Sequence, residues 1–334
     1  MLRCLQFNDH SNVRSPPEQT PTPAQAFRAS ADITAALLSA ATAGSNSSSQ
    51  SAILLMKSLL MKSIRLMLVA AFIVGALGVV VATSYEDARD QAAQIVSGLK
   101  RADYEGNQTA MQSSYERLAP FLESKELASR IHYWRGFAQW RRAINGFNDA
   151  VDPTELENDL KLALDEFKAS LQADPVFVEA KIGMVSSLGY LAFMNMKDQE
   201  RAKELVGQIM LLVKEAAATA PDNPRLIWVQ GPILWNTPPE RGGGQDKAIA
   251  NYLKGLEIRS KLEPGEDVLE PSWGKPELMM SLAYSYLNKR HRDLNAAERN
   301  ARSALEIVPY WHYVRDILLR QILDAKGKEQ SSNR

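Results

Sequence analysis

Three stretches of this chain carry the same run of spacings. Ala163, Phe167, Ser170 and Pro175 are separated by four, three and five residues, as are Ile209, Val213, Ala216 and Pro221, and Ala297, Ala301, Ala304 and Pro309. Steps of four and three stay on one face of an α-helix, whereas a strand would throw them onto both faces. The closing proline lacks an N–H and clashes with the preceding turn, so it stops the helix and opens the connection to the next. Ala248, Tyr252 and Gly255 repeat the first two steps without the proline. A recurring unit of this kind restricts the chain to stacked helices: the small residues admit a paired helix and the larger ones fill the seam.

The same 3.6 period runs from Tyr85 nearly to the end, in Ala-, Leu-, Glu-, Lys- and Arg-rich segments punctuated by Pro, Asp, Asn and Gly. It predicts helices over 85–101, 104–118, 125–147, 154–173, 176–195, 198–219, 223–235, 245–260, 275–289, 293–307 and 310–326. No convincing alternating strand appears. The expected fold is all-α, with about 11 helices paired into hairpins.

Residues 57–84 read as an export segment. Lys57, Lys62 and Arg65 precede an uncharged apolar run, Leu66 to Ala82, which is followed by small residues and then Glu86 and Asp87. Basic before and acidic after keeps the amino-terminal side inside. The run is long for a signal-peptide core and just reaches the lower limit for a spanning helix, so cleavage near Ser84 and retention as a membrane anchor are both open. Residues 1–56, rich in Ser, Ala, Thr and Pro, show no helical or strand period. They read as a disordered extension, or as sequence upstream of a true start at Met56 or Met61. The parts are therefore 1–56, the export segment 57–84, an amino-terminal hairpin over 85–124, repeats over 125–309, and a capping helix and tail over 310–334.

Charge and composition narrow the function. The chain has 39 basic and 39 acidic residues; six of the former and three of the latter precede Tyr85, so the rest carries about −3. A broad basic surface for nucleic acid is excluded. The single Cys, Cys4, excludes a disulfide framework, a thiolate zinc cluster and a redox pair within the chain. His132, His291 and His312 lack metal-helix spacing, and no nucleophile elbow or isolated carboxylate pair is present. No enzyme activity, metal or cofactor is expected.

On these residues the chain resembles the tetratricopeptide-repeat superfamily over about residues 125–310, with Gly231, and Leu282, Ala283 and Tyr286, at the close crossings, and Gly136 fitting less well between polar neighbours. The resemblance implies a helical-hairpin solenoid of three to five repeats. The first hairpin would be lengthened around Asn145 to Pro153, and the last hairpin turn would be longer by about two residues. A closer likeness covers 221–276. The string Asn223-Pro224-Arg225, Gly231, Thr237-Pro238, Gly242-Gly243-Gly244 and Pro271-Ser272-Trp273-Gly274 is similar to a group of exported bacterial tetratricopeptide-like proteins, with Arg241 where that group has an aromatic residue. This likeness implies a fold and an envelope address, and no chemistry.

The resemblance also implies an inner face lined by the first helices: Arg130, Tyr133, Phe137 and Trp140; Glu179, Ile182, Ser186 and Tyr190; Arg225, Trp228, Pro232 and Trp235; Glu277, Met280, Tyr284 and Leu287. Aromatic residues with Arg on a concave surface suit capture of a peptide or apolar ligand, against the alternative that the rings are ordinary core. The expected binding residues are Tyr133, Phe137, Trp140, Tyr190, Arg225, Trp228, Trp235 and Tyr284. Gly242, Gly243 and Gly244 read as a lengthened turn rather than an anion cradle, because Glu240 and Asp246 flank them and no strand leads in. Trp273 reads as an anchor for its loop. The functional expectation is an envelope adaptor, exported or anchored, that binds a protein or peptide. The alternative is a small-solute-binding component, for an apolar or acidic ligand, serving a transporter; the absence of a lipobox cysteine before residue 85 weakens it. No nucleic acid is expected, and membrane contact only through residues 66–82 if they are retained.

Overall fold

The structure, a computed structural model, describes residues 47–262 and 265–332; for residues 47–55, 65–66, 68–84 and 332 only the backbone is described. It forms two compact units, residues 1–80 and 81–334. The described part of the first is the amino-terminal stretch of helix α1 (Ser47–Glu105). No helical period is legible in residues 1–56, yet α1 starts at Ser47. Once residues 57–64 are helical, each further Ser, Gln, Ala or Leu gains a hydrogen bond for one residue fixed, so the helix runs past the point where the pattern ends. Residues 1–46 lie outside the described residues, as do the side chains of the apolar run Leu66 to Ala82 apart from Met67. Among the described residues no helix is long and apolar enough to cross a membrane.

The second unit is all-α. After α1 come α2 (Gln108–Leu118), a 3-10 turn (Ala119–Glu123), α3 (Ala128–Asn148), α4 (Pro153–Ala173), α5 (Val178–Met194), α6 (Gln199–Thr219), α7 (Pro224–Asn236), α8 (Gln245–Ser260), α9 (Lys275–Asn288), α10 (Leu294–Ile307), a π-helical turn (Tyr313–Leu318) and α11 (Leu319–Ser332). Four hairpins, α3/α4, α5/α6, α7/α8 and α9/α10, follow one another. Each second helix touches the next first helix, and successive first helices touch one another, which makes an inner row of α3, α5, α7 and α9.

The recurring spacings do what their chemistry requires. Ala163, Phe167 and Ser170, and Ala297, Ala301 and Ala304, have no exposed surface, and Ala216 has none either. Pro175, Pro221 and Pro309 each stand two residues past the end of a helix, and the residue between, Asp174, Ala220 or Val308, leaves helical geometry (φ −141°, −143°, −131°) as a residue before proline should. In all three, its N–H donates to the carbonyl of the third residue of the set, Ser170, Ala216 or Ala304. Asp152, Asp198, Asn223 and Asp293 cap the following helices with their side chains.

Second-helix rings press on first-helix glycines. A Cβ on Gly231 would lie 2.1 Å from the Tyr252 ring, and one on Gly136 or Gly183 would lie 2.8 or 2.3 Å from Phe167. Gly136 therefore occupies a close crossing as fully as Gly231 does; its polar neighbours Arg135 and Gln139 turn to side-chain partners on Glu166 and Gln112. The first hairpin is not lengthened by its loop. Its turn, 149–152, has four residues like 174–177, 195–198 and 220–223, and the extra length lies in the helices. The last hairpin turn, 289–293, is longer by one residue.

One connection differs from the rest. Fourteen residues, 261–274, join α8 to α9, beyond the length at which an irregular loop in a compact domain is ordinary.

Candidate functional site: the inner face and its strap

The inner row begins with charge. At the amino-terminal ends of α3, α5, α7 and α9 stand Arg130, Glu179, Arg225 and Glu277. Arg225 grips Glu179 with two bonds, Nε and Nη2 each donating at 2.6 Å, and Asn223 donates to the same carboxylate at 2.6 Å. The Glu277 carboxylate accepts from the Tyr104 hydroxyl on α1 at 2.6 Å and from the Gly274 N–H at 2.8 Å. Burial pushes the Glu277 carboxyl above its ordinary pKa, opposed by Arg141 and by the Tyr104 hydroxyl. Arg141 pairs with buried Asp103 of α1 at 2.7 Å, and Asn145 donates to the same Asp.

Across this row lies the segment 265–274, a strap. An Asx turn, with Leu269 N donating to Asp267 Oδ1 at 2.9 Å, starts it. Its groups are then met one after another. Arg89 pairs with Asp267 at 2.6 Å, Lys100 donates to the Val268 carbonyl at 3.0 Å, and the Trp134 indole donates to the Leu269 carbonyl at 2.8 Å. Arg130 Nε donates to Glu270 at 2.7 Å, and Arg225 Nη1 donates to the Trp273 carbonyl at 3.1 Å. Burial lowers the Lys100 pKa to about 8, with Asp267 opposing. Gly274, at φ +127°, turns the strap into α9 beside Arg225, a conformation open to glycine.

Trp273 packs its loop onto the expected binding face. Its indole donates to the Tyr133 hydroxyl at 2.9 Å, and its ring packs on Phe137, Trp140 and Trp228 with centroids 6.1, 5.7 and 5.5 Å away. Tyr133 and Trp140 are fully buried and Phe137 is 3% exposed. The expectation that these three line an open surface is thus corrected: the strap covers them. Arg225 is committed to Glu179 and Trp273. Two indoles tie neighbouring first helices, Trp140 to Ser186 at 3.1 Å and Trp228 to Ser281 at 2.8 Å. The second bond puts Ser281, rather than Met280, on the inner row of α9. Trp228 remains half-buried.

Toward the carboxyl-terminal ends of the first helices the face is uncovered. Tyr190 is half-buried, Tyr284 is 46% exposed and Trp235 is half-buried against the α7/α8/α9 core. Phe147, which stacks on Tyr190 at 5.1 Å, Phe193 (59% exposed) and Tyr313 were not singled out in the sequence, although Phe147 and Phe193 continue the 3.6 period of their helices. Tyr190, Tyr284 and Tyr313 carry the phenol hydroxyls of this region. Burial raises the Tyr190 phenol, opposed by Arg141 and reinforced by Tyr284. Burial likewise raises Tyr313. The three hydroxyls have no hydrogen-bond partner among the described residues.

The glycine triplet is a turn whose donors are spent. The N–H groups of Gly242, Gly243 and Gly244 donate to the carbonyls of Pro239, Pro238 and Leu234, and Gly242 and Gly244 take φ of +85° and +109°. The glycines themselves have no N–H left to cradle an anion. A Cβ on Gly243 would sit 2.2 Å from the Thr237 carbonyl oxygen. Gly243→Ala should therefore cost about 1–3 kcal/mol, read as a lower thermal midpoint, while capture of any partner stays unchanged. Among the described residues no three His, Cys, Asp or Glu side chains are grouped to hold a metal ion. His132 is turned to Glu166 at 2.7 Å and His312 to Asp316 at 3.0 Å.

No protein-family model and no curated protein matches the sequence. Solved structures similar to the chain include the HusA haemophore from Porphyromonas gingivalis, at 19% identity and a TM-score of 0.47 over 59% of this chain and 91% of that one. TTC0263, a thermophilic TPR protein of Thermus thermophilus, is 19% identical at a TM-score of 0.46, over 70% and 99%. Yeast Tom70 is 15% identical at 0.31, over 66% and 52%.

Proposed function

We propose that this chain is a non-enzymatic helical-repeat adaptor of the cell envelope that holds a segment of another envelope protein against its inner face. The observation that carries this reading is that the face already seats a polypeptide. Its own strap is held there by five helix side chains and by a ring of aromatics around Trp273. The uncovered rows next to it offer the same chemistry, with exposed rings and three unengaged phenol hydroxyls. Aromatic residues with a polar tip carry a large share of binding energy at protein interfaces. The envelope address rests on the export pattern of residues 57–84. The solute-binding alternative asks for an enclosed aromatic cavity; the exposure of Phe193 and Tyr284 marks an open surface and favours a polypeptide.

The test is mild crosslinking of the carboxyl-terminally tagged protein in its native cell, followed by mass spectrometry of what is retained. One stoichiometric envelope polypeptide is expected in the wild type. Tyr190→Ala with Tyr284→Ala should lower its recovery at least about tenfold, the effect of losing one or two hot spots, with unchanged circular dichroism. A partnerless wild-type protein would remove the adaptor reading.

A further inference from the structure

We infer that the strap is an internal occupant of a peptide site, displaced by a segment that presents the same side chains: an acid, a second acid three residues on, and a tryptophan three residues after that. This deepens the adaptor reading and rests on it, by naming the partner's chemistry and the device that withholds the site. In the strap the three positions are Asp267, Glu270 and Trp273.

Each meets a separate receptor built from distant parts of the chain. Asp267 pairs with Arg89 of α1, Glu270 with Arg130 of α3, and the Trp273 ring enters the pocket of Phe137, Trp140 and Trp228, with Tyr133 accepting from its indole. Lys100, Trp134 and Arg225 read only main-chain carbonyls, of Val268, Leu269 and Trp273, which any peptide carries. The split between side-chain selection at three points and main-chain recognition between them is how a peptide groove combines specificity with affinity.

Leu269 and Trp273 of the strap pack into the core, at 2% and 7% exposure, whereas its charged contacts lie at the rim. Both ion pairs are open to water: Arg89 and Asp267 side chains are 33% and 35% exposed, and Arg130 and Glu270 are 27% and 46% exposed. Exposed pairs of this kind contribute little to stability and are readily exchanged. The strap also lies in a fourteen-residue connection between α8 and α9, and loops of that length are where alternative conformations reside. Tethering gives it an effective concentration of order 1 mM. A free segment must therefore exceed that concentration, or bind better, to replace it.

The test uses the full chain and a fluorescein-labelled synthetic peptide spanning residues 265–274, with anisotropy as the readout. The wild type should show no saturation below about 1 mM, because the strap competes. Trp273→Ala loosens the strap and should tighten peptide binding at least about tenfold; Asp267→Asn with Glu270→Gln removes two exposed ion pairs and should tighten it severalfold. Peptides carrying Trp273→Ala, or Asp267→Lys with Glu270→Lys, should lose that gain. Circular dichroism establishes that the variants are folded; the charge-neutral pair keeps the experiment decisive if Trp273→Ala unfolds. Folded variants that bind no peptide, equal binding of the tryptophan-less peptide, or loss of helix in both variants would overturn the proposal. The peptide assay reads purified protein and the capture assay reads the cell, so a failure of the strap is separable from a failure of partner capture.

Discussion

Gly231→Ala is expected to cost about 3 kcal/mol of folding stability, at the upper end of what overpacking does. The sign makes this a sharp test, because helix propensity alone predicts the opposite: Ala in mid-helix is favoured over Gly by roughly 0.5–1 kcal/mol. Packing should win here. The added methyl would lie 2.1 Å from two atoms of the Tyr252 ring and 2.2 Å from its hydroxyl oxygen, and Tyr252 is itself 5% exposed and hemmed in by Leu278 and Leu282 in the same cluster, so the ring has nowhere to turn. Thermal melting should show a midpoint lower by about 10 °C, at some 2–4 °C per kcal/mol for a domain of this size. Tyr252→Leu in the same chain should recover a large part of the loss, a coupling that two independent defects would not show. A midpoint within a degree or two of wild type would mean that α7 and α8 do not cross this closely.

Arg225→Met is expected to cost about 3–5 kcal/mol, the range for removing one member of a buried pair. Glu179 is 5% exposed and takes two of its bonds from Arg225, leaving only Asn223 once the guanidinium is gone. The Trp273 carbonyl loses its donor at the same time. Arg225→Met with Glu179→Met should return most of the stability, because the pair's attraction is largely offset by the desolvation of both ions. Urea unfolding of the single and double variants measures this. A double variant no better than the single one would show that Arg225 acts through the strap rather than through Glu179.

The helices were legible because their signals are local. The expected span 245–260 and the observed α8 coincide, and the prolines of the repeated set fall at one fixed distance past their helices. The break expected near residue 102 falls instead at Gly106, whose φ of +70° ends α1, and Asn107 then caps α2. The binding face was half legible. Periodicity put Tyr133, Phe137 and Trp140 on one side of their helix and Arg225 and Trp228 on one side of theirs, the tetratricopeptide resemblance implied that the two sides face inward together, and the structure does bring them together. Periodicity could not say what covers that side, since the covering segment lies more than thirty residues away from all of them in sequence. The sequence does carry marks of that segment: a fourteen-residue connection where the others between the paired helices run from four to eight residues, with two acids and a tryptophan at steps of three.

What the sequence determined alone is therefore the all-α class, the pairing of helices into hairpins and the small residues at their crossings. These follow from spacing, capping and the geometry of proline, which act within a few residues. Only the tertiary structure decided which aromatic residues are surface and which are core, that Glu179 answers Arg225 and Asp103 answers Arg141, and that Gly136 and Gly183 share one phenyl ring. Burial and ion pairing depend on what arrives from elsewhere in the chain, and a period of 3.6 residues carries no record of it.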